Sequence, residues 1–513
     1  MEAFIDDWGL TAALFLPLVG AVIMMFVRKE DEAAHKQIAL LTSVAVLAAL
    51  VAVAAVFNYN DAGRLQSVID KEWIPVIDSR YHIGVDGISL PLLLLTGLIV
   101  PLVIIYSWNH FPEPRNPKAF LILILILQTG MVGTFVAQDL ILFFVFFEVV
   151  LLPMYFMIGV WGGENRMYAA IKFFLFTAFG SAFMLVAFLA LYFLSSDPVT
   201  GAHTFQIPDL PDAATGLASG TAWLIFGGMF LGFGIKVPMF PFHTWLPDAH
   251  TQAPTQGSVI LAAVMLKLGT YGFMRIPIPI LPDAARDWAP IIAVLAVIGI
   301  IYGALGCLAQ TDMKRLIAFS SVAHMGYTML GISTLTSFGF NAALMGMVAH
   351  GLITGMLFFV AGSIKERFHT LEIKRLGGLL LQAPRLGWIL AFCSMASLGL
   401  PGLAGFWGEF PAILAAYQPA EGLPVELFRV CMVVAAIGTV FAAGYLLWLL
   451  QRTAFGTPKE EWEGHHFHDV ETPEWLAWTP LIIGIVALGI YPNFVFDITD
   501  GGVQSVLTAF SGG

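Results

Sequence analysis

The sequence predicts an all-α polytopic membrane protein of about 14 transmembrane helices, with two inverted five-helix repeats and with helices seven and twelve discontinuous. Three observations predict it. Of 513 residues, 58% are hydrophobic and only 12% are charged, against roughly 25% charged in soluble domains, so a soluble fold could not cover its surface with polar groups. The apolar residues fall in runs of roughly 20, the length that crosses a bilayer core. The 50 glycines and 28 prolines sit largely inside those runs, as membrane helices tolerate.

In chain order the spans are expected at 10–27, 38–57, 88–108, 118–137, 140–160, 169–194, 222–246, 257–275, 288–308, 314–332, 340–363, 386–416, 428–451 and 475–494. Span seven contains Pro238 and Pro241, and span twelve contains Pro401 and Gly402. A proline removes a helical hydrogen bond and, paired with glycine, breaks the rod, so these four residues mark the two expected breaks. Spans four to eight (118–275) and nine to thirteen (288–451) each have an interrupted fourth member. Because a five-helix unit is odd, its second copy runs through the membrane upside down, a design for carrying ions past the midplane. The expected organisation is therefore a three-helix segment (1–117), repeat A (118–275), repeat B (288–451) and a C-terminal loop with helix fourteen (452–513).

Orientation follows from the 24 Lys and Arg residues. With the N-terminus outside, 16 fall in inner loops and 6 in outer loops, while Lys236 and Lys267 lie within spans. That bias places both termini on the outer side. The acidic start, Met1 to Asp7, points to a first helix that is retained rather than a cleaved signal.

Several function classes drop out. The net charge is −11 with no basic tract, which excludes a nucleic-acid partner. Cys307, Cys393 and Cys431 are far apart in sequence, so no iron–sulfur or zinc spacing exists, and they read as core filler. No phosphate-binding or dinucleotide fingerprint is present. The cluster His465-His466-Phe-His468-Asp469 has a metal-like composition but lies in a charged inner loop, and no metal is expected there.

Four charges stand inside the membrane: Glu148, Lys236, Lys267 and Glu409. Each costs on the order of 2.5–3.5 kcal/mol on insertion scales. Singly, each is open to a plainer account as a snorkelling side chain or a structural ion pair. Glu148 resists the first, because it lies about 12 Å into its helix at ~1.5 Å per residue and a short carboxylate cannot reach either interface. Two carboxylates and two amines on different helices read together as titratable stations. Burial lowers the pKa of a lysine and raises that of a carboxyl, while an opposite charge nearby pushes each back. His324 and His350 lie in apolar settings with no second ligand at helical spacing, which disfavours a metal and leaves core histidine and relay station both open. His243 and His250 flank Trp245-Leu-Pro-Asp248 near the inner mouth and are expected to cap it.

The segment Phe233-Gly-Ile-Lys236-Val-Pro-Met-Phe-Pro-Phe-His-Thr-Trp-Leu-Pro-Asp-Ala-His250 resembles the signature of the antiporter-like subunits of respiratory complex I. Gly257 to Gly272, Val85-Asp-Gly-Ile-Ser89, Thr311 to Gly326 and Leu398 to Phe406 fit the same family, and the resemblance covers spans three to thirteen. Glutamate at the twelfth-helix station, Glu409, resembles the chain 4 branch; the other branches and the large subunits of multi-subunit sodium/proton antiporters use lysine there.

The resemblance implies a proton path along the midplane, with Glu148 and Lys236 as a coupling pair, Lys267 as central relay, and His324, His350 and Glu409 as the continuation toward the outer side. It implies a proton-translocating subunit of an NADH:ubiquinone reductase, a translocase in which FMN, iron–sulfur clusters, NADH and quinone belong to other subunits and this chain binds no cofactor. Its expected partners are other membrane subunits, especially neighbouring antiporter-like ones, and its expected place is the bacterial inner membrane rather than the mitochondrial one. Two alternatives share the core: the large subunit of a Na⁺/H⁺ antiporter, and the membrane subunit of an energy-converting hydrogenase. A purely structural scaffold would leave four intramembrane charges without a purpose.

Overall fold

Inside hydrocarbon a backbone must satisfy its own hydrogen bonds, and the chain does so by helix almost throughout. The structure, a computed structural model, describes residues 2–510. Helices α1 (Glu2–Phe26) and α2 (Glu32–Val56) lead into a hairpin of β1 (Gln66–Ile74) and β2 (Ser79–Val85). Then come α3 (Ser89–Tyr106), α4 (Pro117–Val136), α5 (Leu140–Val149), α6 (Leu151–Trp161), α7 (Arg166–Leu194), the single turn α8 (Leu210–Ala213) and α9 (Ser219–Lys236). The middle of the chain forms α10 (Trp245–Gln252), α11 (Thr255–Ile260), a π-helical stretch (Leu261–Met265), α12 (Leu266–Arg275), the short α13 (Pro277–Ile280), α14 (Pro282–Leu308), α15 (Met313–Ser333) and α16 (Ser337–Phe368). The last elements are α17 (Leu379–Gln382), α18 (Pro384–Ser397), α19 (Ala404–Ala415), α20 (Val425–Thr453), α21 (Thr472–Ile490) and α22 (Asn493–Val506).

Among the described residues, 12 helices are long and apolar enough to cross a membrane. The two remaining expected spans are the interrupted ones. In span seven, α9 stops at Lys236 and α10 begins at Trp245, with Pro238 and Pro241 in the irregular segment between them. In span twelve, α18 stops at Ser397 and α19 begins at Ala404, with Pro401 and Gly402 between. Gly399 and Gly402 there take φ of +80° and +94°, a region that favours glycine.

Two further irregularities were not anticipated. Span five is two helices meeting at Val150, because Pro153 has no N–H to donate to the carbonyl four residues earlier, that of Val149. Span eight carries the π-helical stretch, a feature frequent at functional sites. The hairpin is a small addition to the expected helical fold. It is an antiparallel ribbon turned by Asp78 at φ 51°, and its Asp70, Lys71, Glu72 and Arg80 give it no apolar run to betray it.

Loops gather on two faces. On the first, Gly87 N–H donates to the Ala62 carbonyl at 2.8 Å and Gln138 N–H to His82 at 2.8 Å. Asp139 caps α5 through Ile141 and Leu142 N–H and also accepts from Ser79, the Arg80 N–H and Gln206. Burial pushes its carboxyl above the usual range against the pull of those donors. On the opposite face Lys36 donates to the Trp108 carbonyl at 2.9 Å and Arg367 pairs with Glu474 at 2.8 Å.

The first face is pinned by Arg275, at the end of α12, whose guanidinium grips both oxygens of Asp86 at 2.6 and 2.7 Å. Asp86 also accepts from the N–H groups of Ile88 and Ser89, and Arg275 donates to Tyr271, whose hydroxyl donates to the Phe135 carbonyl. One buried ion pair thus joins α3, α4 and α12. Arg275→Ala would leave Asp86 buried without its counter-charge, a loss of about 3–5 kcal/mol. Thermal unfolding of the purified protein in detergent should show a strongly lowered midpoint; an unchanged midpoint would mean that the pair contributes nothing.

Candidate functional site

Five of the six intramembrane stations draw on helix interruptions. Glu148 sits just before the α5–α6 junction, Lys236 is the last residue of α9, Lys267 follows the π-helical stretch, and Glu409 lies in α19 after the break that His324 also faces. Lys236 is 2% exposed and Lys267 is fully buried. A cation at a helix C-terminus is favoured by the carbonyl dipoles there, which suits Lys236.

The Glu148 end is built by close helix approach. A Cβ on Gly180 of α7 would lie 2.9 Å from Ile235 Cδ1 and 3.3 Å from Gly232 Cα of α9; the paired glycines let these backbones touch. That contact brings Ser181 and Lys236 beside Glu148. The Ser181 hydroxyl donates to Glu148 Oε1 at 2.5 Å. Lys236 Nζ lies 4.5 Å from the centre of the Phe147 ring and has no hydrogen-bond partner among the described residues. The expected pair is therefore close enough for each charge to act on the other, yet no hydrogen bond joins it.

The second group runs from an amine to a carboxylate with one gap, between two imidazoles. Lys267 Nζ donates to the Ala262 carbonyl, inside the π-helical stretch, and meets His350 Nδ1 at 2.7 Å. The His350 and His324 rings are 5.9 Å apart. His324 Nδ1 contacts Glu409 Oε1, and its Nε2 faces Ser397 Oγ at 3.0 Å and the Tyr445 hydroxyl at 3.4 Å. A cavity bounded by His324, His350, Thr328, Thr354 and Glu409 offers about 20 Å³ to a water, room for about one. His350 Nε2 has no hydrogen-bond partner among the described residues. The glycines again set the geometry, since Gly408 of α19 packs directly on Gly346 of α16.

A third group was not recognised from sequence. Lys314 was counted with the loop charges, but it is the second residue of α15, is 4% exposed and donates to the Ala253 carbonyl. His250 was expected to cap a mouth; it is fully buried, stacks on Phe358 at 4.4 Å, and neither ring nitrogen has a hydrogen-bond partner among the described residues. It lies within electrostatic reach of both Lys314 and Lys267. Lys314, Ala253, Thr255, Gln256, Lys365 and Glu366 line a cavity of about 420 Å³ on the second loop face. His243 is likewise buried, at the break of span seven, edge-on to Tyr302. The only signal for Lys314 was its place one residue inside a helix whose Asp312 is an N-cap. Ser181, Ser397 and Tyr445 carried none, because isolated hydroxyls in apolar runs are common.

His465, His466 and His468 gather no metal site: among the described residues no group of three or more His, Cys, Asp or Glu side chains could hold one. The three cysteines are buried and free.

Comparison with known proteins places this geometry. Residues 13–134 match the family described as NADH-ubiquinone oxidoreductase chain 4, amino terminus, and residues 137–435 match NADH:quinone oxidoreductase/Mrp antiporter, TM. The chain is 41% identical over 498 residues to the NADH-quinone oxidoreductase subunit M of Rhodobacter capsulatus, covering 95% of this chain and 94% of that protein. It is 37% identical over 507 residues to the NAD(P)H-quinone oxidoreductase chain 4 2 of Synechococcus sp. (strain JA-3-3Ab), covering 98% and 92%. Its fold matches a chain of the respiratory complex I from Thermus thermophilus with bound NADH, with a TM-score of 0.85, 28% identity and coverage of 98% and 100%. A chain of the Mrp complex from Dietzia sp. DQ12-45-1b shares the fold at a TM-score of 0.82 and 19% identity, covering 99% of each.

The Gly346–Gly408 contact is a test of the site's construction. Gly408→Ala places a methyl against the Gly346 backbone, which overpacking makes unfavourable by about 1–3 kcal/mol. The expected outcome is a lowered unfolding midpoint; if the midpoint is unchanged, the two helices are not in backbone contact.

Proposed function

The chain belongs to the subunit M (chain 4) family of NADH:quinone oxidoreductase, and on that premise we propose that it carries protons across the membrane through its own buried side chains. NADH oxidation and quinone reduction, with FMN, the iron–sulfur clusters and the quinone site, belong to other subunits. The observation that carries the reading is the line Lys267–His350–His324–Glu409, in which the end groups each contact an imidazole and the imidazoles flank a water-sized space. Imidazole accepts a proton on one nitrogen and releases it from the other, so two histidines in series convert a lysine and a glutamate into one path.

Protons enter, in this reading, from the inner face through the cavity beside Lys314 and pass His250 to Lys267. Glu148 and Lys236 set whether Lys267 holds or releases its proton, since a charge moved at the pair changes the field at the next buried amine. From Glu409 the proton leaves on the outer side. The two halves 118–275 and 288–451, each interrupted at its fourth member, act as inverted repeats that supply one face each. Both termini lie on the outer side of a bacterial inner membrane, in keeping with the distribution of Lys and Arg.

The partners follow from the two ends of the line. Glu148 is partly exposed on α5, and the Glu409 side chain is 13% exposed on α19. A carboxylate left against lipid at that depth is costly, so each edge is covered by a neighbouring membrane subunit, and neighbours of the same architecture would bring a station of their own to each edge.

The test is made in membrane vesicles containing the whole complex. Lys267→Ala should leave assembly intact and reduce NADH-driven proton pumping at least tenfold, with quinone reduction slowed in step. Full pumping and turnover in an assembled Lys267→Ala complex would remove the relay.

A further inference from the structure

The Glu148 end contains a feature that the relay itself does not use. Hydroxyls in membrane helices ordinarily return to the carbonyl one turn back, and on the same helix Thr177 does so, donating to Phe173 at 2.8 Å. Ser181, one turn further on, instead reaches across to α5 and donates to Glu148. At the same level Lys236 Nζ rests on the face of Phe147, the residue preceding Glu148, with no oxygen or nitrogen partner. A ring face within ~6 Å holds an ammonium by its quadrupole. Carboxylate and amine are thus each occupied by a neutral group, although each is within the other's electrostatic reach.

We propose that Ser181 and Phe147 are the parking partners of the Glu148–Lys236 pair, and that Ser181 is a positioning residue which holds the carboxylate off the amine and so sets how readily Lys236 gives up its proton. This rests on the relay reading above. With the hydroxyl bonded, the carboxylate is satisfied without the lysine, and Lys236 can give its proton to a neutral Lys267, the next buried amine, and become a neutral amine itself. Without the hydroxyl, the carboxylate's remaining partner is the Lys236 ammonium, and the closed pair retains the proton. No other charge at this depth competes: α4 from Ala119 to Val136, α6, and α7 from Phe173 to Leu194 carry none, and Lys267 of α12 is held by Ala262 and His350. The glycine contact between α7 and α9 fixes the hydroxyl's reach, because Gly180 precedes Ser181 and packs on Gly232, one turn before Lys236.

The experiment compares Ser181→Ala, Ser181→Thr and the nearly isosteric Ser181→Val with Glu148→Gln, each in membrane vesicles of the whole complex. NADH-driven quinone reduction and proton pumping are followed from pH 6 to 9. Ser181→Ala and Ser181→Val should assemble, lose turnover and pumping together about three- to tenfold at neutral pH, and recover part of the loss at high pH, where a retained proton leaves more easily. Ser181→Thr, which keeps the hydroxyl, should restore both rate and pH profile. Wild-type rate and profile in Ser181→Val overturn the proposal, as does a Ser181→Thr complex as impaired as Ser181→Val, which would make the effect one of packing. If Ser181→Ala fails to assemble, the Thr and Val variants, matched in volume, still decide the matter. Glu148→Gln separates the two levels: if it is silent, the relay reading itself fails; if it abolishes pumping while Ser181→Val is silent, only the role of Ser181 falls.

Discussion

Hydrocarbon imposes one constraint on this molecule from which the rest follows: every buried backbone N–H and C=O must find its partner inside the protein. A regular helix meets that constraint for its own backbone and leaves nothing over for a charged side chain. The interruptions release what is needed. The π-helical stretch leaves the Ala262 carbonyl free to receive Lys267, the end of α9 turns carbonyl dipoles toward Lys236, and the break before α19 brings the Gly399 backbone beside Glu409. Charge and broken helix are therefore two aspects of one solution, which is why they coincide along the chain.

Much of this was legible in the sequence. Apolar runs of twenty residues gave the spans, since length and hydropathy are all the bilayer tests for. Pro238, Pro241, Pro401 and Gly402 gave the two large breaks, because proline and glycine act locally on the backbone. The six stations were visible as polar residues in apolar surroundings. What stayed hidden depended on relations between distant segments. The hairpin over 66–85 has charged residues in both strands and no apolar run of spanning length. Lys314 looked like a loop charge because burial depends on Ala253 and the elements around it, far away in sequence. Pro153 was legible as a residue but not as a hinge, since membrane helices tolerate an internal proline, as the uninterrupted α3 does with Pro101. Ser181 became meaningful only when α5 lay beside it.

Glycine carries the packing between functional helices. Gly180 against Gly232, Gly269 against Phe233 and Gly346 against Gly408 each remove a side chain where two backbones meet beside a station. Small residues at such crossings are the usual means of helix association in lipid, where burial of apolar surface between helices gains little over contact with acyl chains. Here the close approach serves a second purpose. Side chains one residue away from two of these crossings, Ser181 and Glu409, are brought within hydrogen-bond range of partners on other helices.

The two ends of the line differ in a way that bears on direction. At the Glu409 end the carboxylate is bound directly to His324, which is itself held by Ser397 and Tyr445. That carboxylate has an imidazole to exchange a proton with and no lysine in contact. At the Glu148 end the carboxylate is bound to a hydroxyl, and the lysine rests on an aromatic ring. A hydroxyl and a ring stabilise charge but offer no base, whereas an imidazole presents a nitrogen on each side. The two carboxylates therefore sit in chemically different settings, an asymmetry that two identically bound carboxylates would not possess.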